Sequence, residues 1–242
     1  MNKQVFPDDH MAKQSIVEVG RRMYEKKFVA ASDGNISCKV SEDVIWTTPT
    51  GVSKGFMLEE TLIKMRLDGT ILSAGAMEPS SEIKMHICIY NENPSICGIT
   101  HAHPPVSTSF AIAGIALDMA TYSEAVVNLG AIPCVHYETP GSQGLADSVA
   151  PYCRDYNGLL LANHGVLTWG RSLMEALFRL ESLEHFALIH MYTSRLIGKT
   201  NVLSKDQVEE LLANSNRLGI VAGGALRSAS VPSNLLDIGG KK

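Results

Sequence analysis

Basic residues nowhere cluster in this 242-residue chain. Its 21 Lys and Arg against 25 Asp and Glu give a formal net charge of -4, with no stripe or run of one sign. A nucleic-acid partner calls for a basic patch, so that class is set aside. Long apolar runs are missing too: none approaches the ~20 residues a membrane-spanning helix needs. Met1-Asn2-Lys3-Gln4 leads into Pro7-Asp8-Asp9 without an apolar core, which predicts no signal peptide. The five cysteines (Cys38, Cys88, Cys97, Cys134 and Cys153) are odd in number, widely spaced and never in a C-x-x-C. That argues against a disulfide framework and predicts reduced thiols in a cytoplasm. Internal repeats and a second composition regime are absent as well. The reading is one α/β domain over residues 1–220 and a flexible tail over 221–242, where Gly, Ala, Ser and Pro dominate.

What is present mixes two periodicities. Ile16, Val19, Met23 and Tyr24 recur at helical spacing and predict a helix over Asp8 to Phe28. Ile36 to Val40 and Val44 to Thr48 alternate as strands of a meander after the Gly34-Asn35 turn. Leu58 to Met65 reads as a short helix, and Leu67 to Leu72 as a strand broken by Asp68-Gly69. A helix is predicted from Pro79 to about Tyr90 with Ser80 or Ser81 as its cap. Val106 to Gly114, Leu145 to Tyr152 and Ser172 to Gly198 follow as helices, and Ser204-Lys205-Asp206-Gln207 starts the last one. Ile115 to Gly130 resists assignment. Gly158 to Gly170 is nearly continuous in its apolar character and reads as one buried strand, with His164 as a polar interruption.

His101-Ala102-His103-Pro104 carries the chemistry. It follows the β-leaning run Ile96 to Thr100, so residues two apart point the same way and both imidazoles face one side. Two imidazoles on one rigid segment form a chelating pair for a borderline-soft cation. A chance H-x-H in a chain with 8 His is the alternative. A lone core histidine is ordinarily satisfied by hydrogen bonds, yet His164 could complete a three-imidazole site with an open position, the pattern of a catalytic metal. Three stretches suit an anion: Gly34-Asn35, Thr50-Gly51 in a loop that also holds Lys54, and Ser80-Ser81 at a helix start. Glu82 lies between the phosphate-friendly and metal-friendly groups. Taken alone it reads as a residue that compensates a helix dipole; its place between the two groups offers a carboxylate to an enzyme site.

These residues, taken in order as G-N-I-S, T-P-T-G, P-S-S-E, H-A-H-P, I-P-C and N-H-G, resemble the class II aldolase/adducin-head family from about Gln14 to Leu212. The resemblance implies a single-domain α/β/α sandwich around a largely antiparallel central sheet. It implies one divalent metal per subunit, Zn2+ or else Mn2+ or Co2+, on His101, His103 and His164, with Glu82 as ligand or acid/base. The phosphate pocket maps to Gly34, Asn35, Thr50, Gly51, Ser80 and Ser81. Tyr122 stands ten residues before Ile132 of I-P-C, as in the aldolase branch, and is expected at the active site of a neighbouring subunit in a homotetramer. The implied reaction cleaves a fuculose-, deoxyribulose- or methylthioribulose-1-phosphate type of ketose to dihydroxyacetone phosphate and an aldehyde. The epimerase branch of the family has an aspartate where Val126 stands here. Dehydratase and phosphorylated keto-acid decarboxylase branches share the motifs, and an adducin-like binding module would lack the metal site. Asp118, Glu124 and Asn128 lie near Tyr122, and the apolar residues around it favour an aldehyde with an apolar end.

Overall fold

Strand-length runs with buried faces dominate the middle of the chain, and they assemble into one sheet. The computed structural model describes residues 5–217 and 222–227. The strands are β1 Asn35–Lys39, β2 Val44–Thr47, β3 Ile63–Arg66, β4 Ile71–Ser73, β5 Gly98–Ala102, β6 Cys134–Val135, β7 Gly158–Leu161 and β8 Gly165–Gly170. Their order in the sheet is β4-β3-β2-β1-β5-β8-β7-β6. Only β6 and β7 pair in parallel; every other neighbouring pair is antiparallel. The largely antiparallel sheet that the family resemblance implies is present.

The helices are α1 Asp9–Glu25, α2 Ile83–Glu92, α3 Pro105–Ile112, α4 Ser123–Asn128, α5 Gln143–Val149, α6 Leu173–Met191 and α7 Lys205–Arg217. Alternation along the strands sends successive side chains to opposite faces. Ile36, Cys38, Trp46, Leu160 and Val166 join a buried cluster with α1, α3 and α6. Ile45, Ile99, Leu159, Leu161, Leu167 and Trp169 join another with α2 and α5. α6 presses closely on the sheet because Gly98 leaves room: a Cβ there would stand 2.3 Å from Leu173 Cα.

Several boundaries differ from the sequence reading, each for a local reason. The helix expected over Leu58 to Met65 shrinks to a 3-10 turn at Glu59–Thr61, because Ile63 and Met65 alternate buried and pair with β2 as strand β3. The helix expected from Pro79 begins at Ile83, with Ser80 Oγ accepting from Glu82 N at 3.3 Å. The single strand expected over Gly158 to Gly170 is a hairpin. Asn163 adopts φ 56°, which turns the chain between β7 and β8 and sets His164 in the turn. α6 ends at Met191 and passes into a π-helical stretch, Tyr192–Ile197, before Gly198 at φ 71°. The unassigned stretch Ile115 to Gly130 holds α4, which packs against α7 through Ala120, Val126 and Val208. Residues 222–227 fall within the stretch expected to be a tail. Gly223 O accepts from Ala131 N at 2.8 Å and Arg227 O from Ala120 N at 3.0 Å, and Arg227 forms an ion pair with Asp118. The rest of that stretch lies outside the described residues.

Candidate active site and metal centre

β5 runs between β1 and β8, and this placement sets the site. His101 lies opposite Asn35 on one side and Leu167 on the other. His103 follows the end of the strand, where its N–H donates to Phe28 O at 2.9 Å. Pro104 and Pro105 then open α3, where a proline costs no hydrogen bond. The first turn of α3 is capped from outside: both oxygens of the Glu184 carboxylate on α6 are used, accepting from Val106 N at 2.9 Å, Ser107 N at 2.8 Å and Ser107 Oγ at 2.6 Å. Gly165 permits the close approach of the third histidine's turn. A Cβ on it would stand 2.4 Å from His103 Cδ2 and 2.6 Å from Ala102 O.

His101, His103 and His164 offer ligand nitrogens that all lie within 4.8 Å of one another. His101 Nδ1 donates to Val166 O at 2.9 Å. A carbonyl only accepts, so that nitrogen carries the proton and Nε2 presents a lone pair. His103 Nδ1 faces Asp33 Oδ2 at 3.4 Å, which turns its Nε2 the same way. The two Nε2 atoms stand 3.2 Å apart. Two lone pairs at that distance repel unless they share a cation. Tetrahedral zinc at its usual Zn–N distance holds two nitrogens about 3.3 Å apart, so the donor set fits such an ion. Backbone and carboxylate partners on the outer ring nitrogens are the usual support for metal-binding histidines.

Glu82 closes the fourth side. Its Oε1 is 3.0 Å from His164 Nε2, its Oε2 is 3.4 Å from His101 Nε2, and Asn35 Nδ2 donates to Oε2 at 2.8 Å. Burial alone would push this carboxyl up. The facing imidazoles of His101 and His164 and the Asn35 amide outweigh it and hold Glu82 well below the usual carboxylate range. Burial disfavours the charged form of His101, pushing it down to about 3, and also lowers His103, while the Glu82 carboxylate opposes both.

Of the residues expected to hold phosphate, Asn35 and Ser80 meet beside Glu82, with Asn35 Nδ2 at 3.3 Å from Ser80 Oγ. Pro49 bridges Pro79 and Thr50 N donates to Glu78 O at 2.9 Å, which sets Thr50-Gly51 alongside the Ser80-Ser81 segment. Gly34 takes φ +74° where a Cβ would meet His101 O at 2.7 Å. Lys54 turns away from this opening: it is buried, and its Nζ donates to Ser32 O at 2.8 Å and Val52 O at 2.7 Å. Burial pushes it down to about 8. Tyr122 does not reach the histidines through any hydrogen bond or ring contact among the described residues. It packs 6.2 Å from the His185 ring. Sequence reasoning missed Asp33, Glu184 and the Val166 carbonyl. Asp33 alone had a signal, its place directly before Gly34-Asn35; the other two depend on tertiary contact.

The profile of the Class II Aldolase and Adducin N-terminal domain matches residues 14–191. The chain belongs to that family. The matched region runs from α1 to the end of α6 and contains every candidate site residue, whereas α7 and residues 222–227 lie beyond it. Among class II aldolase relatives, an L-fuculose phosphate aldolase of Methanocaldococcus jannaschii is 34% identical over 177 residues, covering 73% of this chain and 94% of that protein. A 3-oxo-tetronate 4-phosphate decarboxylase of Pectobacterium atrosepticum is 30% identical over 208 residues, 84% of this chain and 93% of that one. A solved L-fuculose 1-phosphate aldolase superposes with a TM-score of 0.79 at 25% identity, covering 87% of this chain and 98% of the other. As a class II aldolase family member the chain is a lyase. Among the described residues no helix is long and apolar enough to cross a membrane.

Proposed function

We propose that this chain is a divalent-metal-dependent aldolase that reversibly cleaves a ketose 1-phosphate to dihydroxyacetone phosphate and an aldehyde. The observation that carries the reading is the convergence of His101, His103 and His164 on one centre, with the ionised Glu82 against them and Asn35 and Ser80 alongside. A bound divalent cation, zinc first on the donor set, supplies Lewis acidity toward the oxygens of the substrate. The chain does the rest. Backbone N–H groups at Gly34 and Gly51, the Asn35 amide and the hydroxyls of Thr50, Ser80 and Ser81 hold the phosphate. In cleavage, Tyr122 accepts the proton of the C4 hydroxyl and passes its own to solvent as the bond between C3 and C4 breaks. Glu82 takes up a proton from solvent and delivers it to C3, which completes dihydroxyacetone phosphate. In condensation the ionised Glu82 removes that same proton. Tyr122 acts from a neighbouring subunit of a homotetramer, a reading supported by its packing at His185, apart from the histidine cluster.

The layered α/β/α sandwich belongs to the same proposal and is supported by the two side-chain clusters on opposite sheet faces. So does the single catalytic domain over residues 1–220. A cytoplasmic site is supported by five free thiols. The apolar surroundings of Tyr122 favour aldehydes with an apolar end.

The test is the metal-loaded protein with a panel of ketose 1-phosphates, coupled to glycerol-3-phosphate dehydrogenase with NADH loss as the readout. The expected signal disappears with chelator and with Glu82→Gln. A protein that holds metal and releases no dihydroxyacetone phosphate from any member overturns the aldolase reading. The Pectobacterium relative then favours decarboxylation of a phosphorylated keto acid, read as released carbon dioxide.

A further inference from the structure

A polar seam runs behind the site, between β1 and α2. Asn35, Ser37 and Lys39 share one face of β1, and Glu82, His86 and Tyr90 are one turn apart on α2. Two strand residues rise about 6.6 Å and four helical residues about 6 Å, so the two rows stay in step. Asn35 meets Glu82 at 2.8 Å, Ser37 meets both His86 and Tyr90, and the Lys39 ammonium stands 5.5 Å over the Tyr90 ring. Ser37, His86 and Tyr90 are buried almost completely. Such a seam is unnecessary for packing, since apolar side chains would fill the same space at lower desolvation cost.

The proton positions along it follow from its two ends. Ser37 Oγ lies 2.7 Å from His86 Nδ1 and 2.9 Å from Tyr90 Oη. If His86 Nδ1 donated to Ser37, Ser37 would either accept from Tyr90 as well, which leaves its own proton without a partner, or donate to Tyr90. The buried phenol proton, held on Tyr90 because burial raises its pKa well above the ordinary value, would then have no acceptor among the described residues. The opposite direction satisfies both hydroxyls and His86 Nδ1: Tyr90 donates to Ser37, and Ser37 donates to His86 Nδ1. His86 is neutral, pushed by burial down to about 4, so its single proton sits on Nε2. At the other end the Glu82 carboxylate can only accept, so it fixes the Asn35 amide with Nδ2 toward it and Oδ1 turned into the interior. Asn35 Oδ1 and His86 Nε2 are both buried without a hydrogen-bond partner in the chain. The first is an acceptor and the second is, by this argument, a donor.

We infer that His86 is a positioning residue for Glu82. As the Nε2–H tautomer, it reaches Asn35 Oδ1 through one buried water, so that the Tyr90–Ser37–His86 chain steadies the Asn35 amide in the orientation Glu82 selects and, through it, the carboxylate. A water between this donor and this acceptor has the two partners that an internal water needs at least. The functional part of this inference rests on the aldolase reading of Glu82; the tautomer does not. The first measurement is therefore long-range nitrogen–proton correlation NMR on the metal-free native chain, labelled at histidine nitrogens. An Nε2–H signal for His86 that becomes a tautomer mixture in Ser37→Ala is expected. An Nδ1–H tautomer in the native chain overturns the inference, whatever reaction the protein catalyses.

The second measurement compares His86→Gln with His86→Asn. A glutamine amide reaches the Nε2 position and can donate there, whereas asparagine reaches only the Nδ1 position. Glutamine should keep kcat within a few-fold, and asparagine should lose about 10-fold to 100-fold in kcat with little change in KM. Equal kcat for two folded variants, or a loss in glutamine as large as in asparagine, overturns the positioning role. Should the asparagine variant not fold, the native tautomer and the glutamine kinetics decide the matter by themselves.

Discussion

Glu184→Ala tests how the histidine pair is held. The carboxylate touches neither the histidines nor any phosphate-pocket residue. It satisfies two backbone N–H groups and one hydroxyl in the first turn of α3, and α3 begins two residues after His103. Ser107 is fully buried, so its N–H and Oγ cannot turn to water when the partner goes. A hydrogen bond to a charged group contributes ~1.5–3 kcal/mol, and three bonds to one carboxylate add less than their sum. Loss of an ordinary N-cap costs ~1 kcal/mol. About 2–4 kcal/mol is the resulting estimate, which for a chain of this length lowers Tm by roughly 4–16 °C. Ser107→Ala, which deletes only the 2.6 Å bond, should cost about 1.5–3 kcal/mol. The assay is thermal unfolding of the metal-free variants beside a zinc competition titration. We expect Glu184→Ala to weaken zinc binding about tenfold, because the chain that carries His103 loses its downstream anchor. An unchanged Tm together with unchanged zinc affinity would refute the reasoning and place the stiffness of the ligand pair wholly in β5.

Gly165→Ala should be worse for zinc than for the fold: the new Cβ lies 2.4 Å from the His103 ring, which can yield, and 2.6 Å from the Ala102 carbonyl, which cannot easily. A stability loss of about 1–3 kcal/mol with a clear drop in zinc affinity by competition titration is the expected pair of results. Acid should destabilise the metal-free protein through His86. Its folded pKa is lowered to about 4 while an unfolded imidazole protonates near 6.5. Below that value the unfolded chain binds more protons, and stability falls with pH. Its share is about 1.4 kcal/mol per pH unit down to the folded value, so denaturant midpoints should drop less between pH 6.5 and 5 in His86→Gln. Zinc in hundredfold excess over its Kd should raise the unfolding free energy by about 2.7 kcal/mol, read by thermal or denaturant unfolding, and the gain should largely vanish in His103→Ala.

The strand-borne part of the site was legible because period-two alternation and a proline stop are local signals. His101 and His103 could be read as one chelating pair from four consecutive residues. The turn that carries His164 was not, since an unbroken apolar run hides a hairpin whose only marks are Asn163 and Gly165; what reveals it is a positive φ and a neighbouring strand. The 3-10 turn at Glu59–Thr61 was lost for a similar reason, because Ile63 and Met65 suit either periodicity until β2 offers a partner. The residues proposed for the phosphate pocket were singled out by anion-friendly chemistry together with the family resemblance, and the closeness of Thr50-Gly51 to Ser80-Ser81 comes from the Pro49–Pro79 bridge, which no spacing announces. Glu184 and the Ser37–His86–Tyr90 seam join residues tens of positions apart, so a single sequence carries no mark of them.

β5 has hydrogen-bonded strands on both sides and helices over both faces. Its amide protons can reach water only when the sheet itself comes apart, so their exchange should report global opening, with no cheaper local route. Exchange at residues 118–131 should be faster, since that stretch holds one short helix and is bonded to residues 222–227 rather than into the sheet. A site so arranged keeps its ligand atoms still while its wall breathes. Any motion that admits a substrate is therefore confined to the lining, and the slowest-exchanging amides in the molecule should lie directly beside the imidazoles.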